Sequence, residues 1–166
     1  MLEVTDKNSR LRPMEEEDLD DVLKIERRSF PFPWTRQMWK DELLVNERVK
    51  CYVIEIEGRV VACYSSWHIA MESFLNNIAV DPEYRKWGLG RMMLDHFLKE
   101  ARDHDSEACY LEVAEGNTDA IDLYERNGFK HIDTRRDYYS MEHKDAYIMK
   151  KEMGADNDTL GNRVFM

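Results

Sequence analysis

An apolar run that breaks at Asp81-Pro82 and restarts as a helix opening on two glycines constrains this chain more than any other stretch. Asn76 to Val80 reads as a buried strand, and Leu89 to Arg102 carries apolar residues at Leu89, Met92, Met93, Phe97 and Ala101, close to helical spacing. The unit is strand, loop, helix. The first turn of a helix leaves about four backbone N–H groups without partners, and the macrodipole adds roughly half a positive charge there, so a phosphate suits that position. Gly88 and Gly90 remove the side chains that would keep a phosphate away, and Arg85, Lys86 and Arg91 add basic charge to an acidic chain. An anion site is the expectation; a close-packed helix start is the plainer alternative for such glycines. Two phosphate loops are excluded. A dinucleotide fingerprint needs a third glycine where Met93 stands, and a P-loop needs Gly-Lys-Ser or Gly-Lys-Thr, which the sequence lacks.

The 166 residues suit one domain, and a hydrophobic content of 43% is enough for a packed core. Residues 1–153 are expected to form it, with 154–166 as a polar tail. Twenty-four Lys and Arg stand against 34 Asp and Glu, a net charge of −10. That balance argues against general binding to nucleic acid or to an anionic membrane and favours cationic partners, unless it is only an acidic surface. Cys51, Cys63 and Cys109 lie far apart in apolar runs and read as small buried hydrophobes. The five histidines stand singly, and with no Cys/His cluster at metal-ligand spacing no metal is expected. The sequence shows no signal peptide and no long apolar span, which points to the cytoplasm.

Val4 to Arg12 can hold a strand, ended by Pro13, before a helix whose acidic first turn suits the macrodipole. Leu19, Val22, Leu23 and Ile25 give that helix one apolar face. The two prolines of Phe30-Pro-Phe-Pro-Trp34 stop it, and the three aromatics read as packing between helices. Thr35 then caps a second helix with Trp39, Leu43 and Leu44 on its apolar side. Cys51 to Glu57, a turn at Gly58-Arg59 and Val60 to His68 form an antiparallel hairpin. A third strand follows from Ser73 to Val80 with Glu72 at its mouth. Ala108 to Val113 is apolar enough to be central, and the helical crossover makes it parallel to the strand before it. Asn117 caps a helix that Gly128 ends in the left-handed region. Phe129 to Asp133 and Asp145 to Lys151 make two last strands, joined through Arg135-Arg-Asp-Tyr-Tyr139.

Glu112 is an acid inside that apolar central strand. A buried carboxylate is costly unless satisfied or used, and burial raises its pKa toward a range where it can accept a proton near neutral pH. The plainer alternative is a side chain on a wet edge, or one paired with Lys or Arg.

The pairing of Arg85-x-x-Gly88-x-Gly90 with Asn117-x-x-Ala120-x-x-Leu123-Tyr124-x-x-x-Gly128-Phe129 resembles the GCN5-related N-acetyltransferase (GNAT) family. Five stretches, in the family's order, are together similar to its RimI-type N-terminal branch: Phe32-Pro-Trp34 after Ile25-Glu26, Asn77-Ile-Ala-Val-Asp-Pro82, Leu111-Glu-Val113, the run Asn117 to Phe129, and Arg136-Asp-Tyr-Tyr139 followed by Asp145-Ala-x-Ile-Met149. Together they reach to about Met153. The resemblance implies a GNAT fold of the α/β (α+β) class: a central mixed, mostly antiparallel sheet with a parallel pair at the cofactor cleft, flanked by helices. It implies acetyl-CoA as co-substrate and the N-terminal amine of a small-subunit ribosomal protein, the eighteenth, as acceptor.

Carried over residue by residue, the resemblance makes Glu112 the base and Tyr124 the acid. The chemistry accepts both, because an amine attacks a thioester only when neutral and a phenol can return a proton to the departing thiolate. The backbone of Ile78, Ala79 and Val80 matches the strand that lines the pantetheine arm and polarises the thioester carbonyl. Lys86, Trp87, Gly88, Leu89, Gly90 and Arg91 match the pyrophosphate loop, and Asn117 the side chain that holds the pantetheine. Arg85 begins the signature and is expected only to brace the loop. Phe32, Trp34, Tyr138 and Tyr139 become walls of a peptide slot, and Glu72 a candidate for holding a cationic substrate. An α-amine is the easier acceptor, since reference pKa values of about 7.7 to 8 against about 10.4 leave it neutral roughly several hundred times more often than a lysine. Cys109 has no His beside it and faces away from an adjacent strand residue, so direct transfer is expected rather than an acyl-cysteine.

Two alternatives stay open on the residues. One keeps the fold and acetyl-CoA but takes a small amine such as a polyamine; the other is an acyl-CoA-binding module without turnover. The sequence leaves the oligomeric state open.

Overall fold

The structure is a computed structural model that describes residues 8–139 and 144–154. Among the described residues seven strands and four α-helices follow in chain order: β1 Ser9–Pro13, α1 Leu19–Ser29, α2 Arg36–Lys40, β2 Val49–Ile56, β3 Arg59–Ile69, β4 Glu72–Val80, α3 Leu89–Asp103, β5 Ala108–Ala114, α4 Thr118–Arg126, β6 Lys130–Tyr139 and β7 Lys144–Glu152. Two compact units share these elements: 1–67 with 75–99, and 68–74 with 100–166. β3, β4 and α3 contribute to both. Among the described residues no helix is long and apolar enough to cross a membrane.

In the first unit the strand order is β1-β2-β3-β4. β2 pairs antiparallel with β1 and with β3, and the β2–β3 turn is Glu57-Gly58, at φ 51 and 79. Two positive φ values in a two-residue loop match the right-handed twist of the strands, so the turn lies one residue earlier than the sequence predicts. The alternation of β2 puts Val49, Cys51 and Val53 on the inner face, where they meet Leu19, Val22, Leu23 and Ile25 of α1 and the buried Trp39. Each such apolar side chain contributes about 1.5–3 kcal/mol on burial. Thr35 Oγ1 caps α2 by accepting from Met38 N at 3.2 Å, as predicted. The helix then widens into a π-turn over Asp41–Val45, and Leu44 is left 59% exposed while Leu43 packs on the core. The local change of winding removes Leu44 from the apolar side expected for it.

The second unit has the strand order β5-β7-β6 after the start of β4. Glu107 N donates to Met71 O at 2.6 Å, and the Phe74 ring stacks on Tyr110 at 5.3 Å. Residue numbers rise together along this pair, so β4 and β5 run parallel, as the crossover predicts. β5 and β6 both pair antiparallel with β7. β6 is longer than the sequence predicts: an irregularity between Arg135 and Tyr139 absorbs the extra residues. Asp137 there takes φ 51 and donates its N–H to Asp145 Oδ1 at 2.9 Å.

Candidate active site

Charge holds the strand-loop-helix stretch of the first unit in place. The Asp81 carboxylate, buried at the end of β4, accepts two bonds from Arg28 at 3.1 Å, one from Arg59 at 3.4 Å and one from Glu83 N at 2.9 Å. Arg85 turns back onto the protein, donating to Val80 O and to Ser29 Oγ, both at 3.3 Å. It braces the loop. Lys86 and Gly88 both lie in the left-handed region, at φ 66 and 82. A Cβ built on Gly88 would meet nothing within 4 Å, so the residue is not a concession to close packing, and the space beside it is open. The helix ladder begins with Met92 N donating to Gly88 O at 3.0 Å, so the N–H groups of Leu89, Gly90 and Arg91 precede its reach. Leu89 anchors the turn in the interior, while Lys86, Trp87 and Arg91 are exposed. An open turn that leads into a helix N-terminus fits a pyrophosphate.

Immediately before the loop, β4 carries Ile78, Ala79 and Val80, with Ala79 packed in the first core. Next to them Asn77 donates its side-chain amide to Glu26 Oε1, and Trp34 N donates to Glu26 Oε2 at 3.0 Å. Glu26 is fully buried on the apolar face of α1. Burial pushes its carboxyl upward, and the two donors pull the other way. One carboxylate thus ties the aromatic loop to the strand. The sequence marks Glu26 only as part of the Ile25-Glu26 stretch and gives it no role; the signal for one is an acid four residues after Val22, on a face that is otherwise apolar. Trp34 packs on Trp39 with ring centroids 5.0 Å apart, whereas Phe32 is 51% exposed. Packing against the core therefore describes Phe30 and Trp34 but not Phe32.

In the second unit Leu111 and Val113 are buried, while Glu112 between them is exposed and stands 3.2 Å from Arg135 of β6. The buried acid expected from the sequence is not found. An apolar composition conceals that alternate residues of a strand face opposite sides, and here the side carrying Glu112 is open to water. Tyr124 of α4 is 3% exposed and meets Phe129 edge-on at 5.9 Å. Burial pushes its phenol well above the ordinary range, which keeps it protonated. Asn117 Oδ1 caps α4 by accepting from Ala120 N at 3.4 Å, so contact with a ligand's acceptor falls to its amide nitrogen. Glu72 is exposed at the start of β4. Tyr138 and Tyr139 end β6, and their side chains lie outside the described residues. Cys109 is buried, which pushes its thiol up to about 12. Phe32, Trp34, Ile78 to Val80 and Lys86 to Arg91 thus belong to the first unit, and Glu72, Glu112, Asn117 and Tyr124 to the second.

Residues 19–129 match the family described as the acetyltransferase (GNAT) family. A [ribosomal protein bS18]-alanine N-acetyltransferase of Salmonella typhimurium (strain LT2) is 36% identical over 134 residues, covering 80% of this chain and 89% of that protein. The protein of the same name in Escherichia coli (strain K12) is 35% identical over 138 residues, covering 82% and 92%. The crystal structure of the ribosomal-protein-S18-alanine N-acetyltransferase from Escherichia coli superposes with a TM-score of 0.81 at 32% identity, over 89% of this chain and 96% of that one.

Proposed function

The chain belongs to the GNAT acetyltransferase family, and we propose that it acetylates the α-amine at the N-terminus of a protein, with the alanine N-terminus of ribosomal protein bS18 as the first candidate. The observation that carries this reading is the likeness to two bS18-alanine acetyltransferases over four-fifths of the chain. A ribosomal substrate puts the reaction in the cytoplasm. The net charge of −10 favours a basic protein as partner.

Acetyl-CoA supplies the acyl group as a thioester. The open turn at Lys86 to Gly88 and the first N–H groups of α3 hold its pyrophosphate, and Asn117 holds the pantetheine through its amide nitrogen. The backbone of Ile78 to Val80 polarises the thioester carbonyl. Glu112 takes the proton from the attacking amine, directly or through a water, and its exposure gives a cationic N-terminus access to it. Tyr124, held neutral by burial, returns a proton to the leaving sulfur. Transfer is direct, since Cys109 is too basic and too buried to serve as a nucleophile. Phe32, Trp34, Tyr138 and Tyr139 wall the peptide slot, and Glu72 adds a second negative charge for the incoming N-terminus.

The test is CoA release from acetyl-CoA with three acceptors: an Ala-initiated bS18-type peptide, the same peptide with a blocked N-terminus and an internal lysine, and spermidine. Release confined to the free N-terminus is the expected result. Release with spermidine alone would move the substrate to the small amines, and binding of acetyl-CoA without release to any acceptor would overturn the enzymatic reading for these substrates.

A further inference from the structure

Two of the histidines that stand singly in the sequence, His68 and His104, meet in the fold. His68 near the end of β3, Glu100 in the last turn of α3 and His104 just beyond it each offer a ligand atom, and these atoms all lie within 4.8 Å of one another. We propose that His68, Glu100 and His104 form a binding site for a divalent cation of the zinc class. Two imidazole nitrogens and one carboxylate oxygen are the donors that borderline cations take, with water completing a tetrahedral shell; Mg²⁺ and Ca²⁺ prefer oxygen throughout.

The placement has a reason in the fold. Glu100 and His104 are four residues apart, on one side of a helical turn, with His104 Nε2 3.9 Å from Glu100 Oε2. His68 arrives from a different element and lays its ring on that of His104, with centroids 4.5 Å apart and planes at 20°. A metal here would tie the end of β3 to the end of α3. The His68 ring is also oriented from behind: Nδ1 lies 2.7 Å from Ser73 Oγ, and Ser73 Oγ lies 2.6 Å from Ser106 Oγ. Both serines are buried. In the metal-bound form Nδ1–H donates to Ser73, Ser73 donates to Ser106, and Nε2 turns its lone pair to the cation. Zinc–nitrogen bonds of about 2.0–2.1 Å put tetrahedral donors roughly 3.3 Å apart, so the three side chains need close only by rotation. His104 is exposed and Glu100 and His68 half-exposed, which leaves room for that rotation and a path for the ion.

The experiment titrates the full chain with Zn²⁺ by calorimetry and repeats it with H104Q, H68Q and, as a control outside the cluster, H131Q. One ion per chain is expected for the wild type and for H131Q, with affinity at least tenfold weaker in H104Q and in H68Q. Thermal unfolding with and without Zn²⁺ supplies a readout that a purely structural role would not move: Zn²⁺ should raise the wild-type Tm, and leave that of H104Q unchanged. Equal Zn²⁺ affinity in the wild type and both cluster variants, or no saturable binding to the wild type, would overturn the site. The acetyl-transfer assay is independent of this outcome.

Discussion

Arg135 holds its guanidinium 3.2 Å from the carboxylate of Glu112 by reaching across β7. The register explains the reach: Ala146 of β7 is paired with Ala114 of β5 on one side and with Arg135 on the other. Glu112 lies two residues from Ala114, on the same face, and the small side chain of Ala146 leaves the space in which the charges meet. An incoming N-terminal amine must therefore share the carboxylate with Arg135 or displace it. E112Q removes the base but keeps the shape and is expected to lower kcat by about a hundredfold, with acetyl-CoA binding by calorimetry unchanged. R135A removes the competing partner while leaving the carboxylate, and is expected to change kcat by less than about tenfold. Equal losses in the two variants would assign the ion pair, and not Glu112 alone, to the mechanism.

Gly88 separates two effects that glycine loops usually confound. With φ 82 and nothing within 4 Å of a built Cβ, G88A suffers backbone strain but no clash. The strain costs about 1 kcal/mol, worth roughly 2–4 °C in Tm for a chain of this size. A methyl group in the open space also meets an approaching phosphate, so KM for acetyl-CoA is expected to rise about tenfold with kcat nearly unchanged. A fall in Tm without a change in KM would move the pyrophosphate elsewhere.

How much of this was legible in the sequence follows the range of the interactions. The caps Thr35 and Asn117, the left-handed stop at Gly128 and the parallel crossover are local or follow from chain connectivity, and each stands where the sequence puts it. Glu112 was legible by position and misread in environment, since one wet face of a strand is decided by what lies over it. Leu44 was lost to a π-turn that no single residue announces. The Glu26–Asn77 bond and the meeting of His68 with Glu100 and His104 join residues dozens of positions apart, and single-sequence periodicity holds no record of those distances.

The thiols offer a check on direct transfer. Burial pushes Cys51 and Cys109 up to about 12 and Cys63 well above its ordinary value. At pH 8 a thiol at 12 is ionised about once in ten thousand molecules, and the thiolate is the reactive form. The folded protein is expected to show almost no reaction with a disulfide reagent such as DTNB over minutes, all three thiols reacting once it is denatured. Acetyl transfer should survive iodoacetamide. Rapid labelling of one native thiol together with loss of activity would reopen an acyl-cysteine route.

Glu26 should report its burial through pH. Its folded carboxyl is raised above the ordinary value of 4.5 by burial, so the folded state holds that proton more tightly than the unfolded chain does. The stabilisation this provides is fully present below about 4.5 and is lost as pH rises through the folded value. E26Q does not titrate. Urea unfolding of wild type and E26Q should therefore show the wild type losing stability relative to the variant between pH 4.5 and pH 7, and a difference independent of pH would mean the carboxylate is not desolvated. E26A tests the tie itself: it strands the Trp34 and Asn77 donors and leaves a cavity, for a loss of about 3 kcal/mol at pH 7. Because that tie joins the aromatic loop to the strand before Ile78, KM for the peptide acceptor is expected to rise more in E26A than KM for acetyl-CoA. If both constants move equally, Glu26 supports the fold without setting the slot.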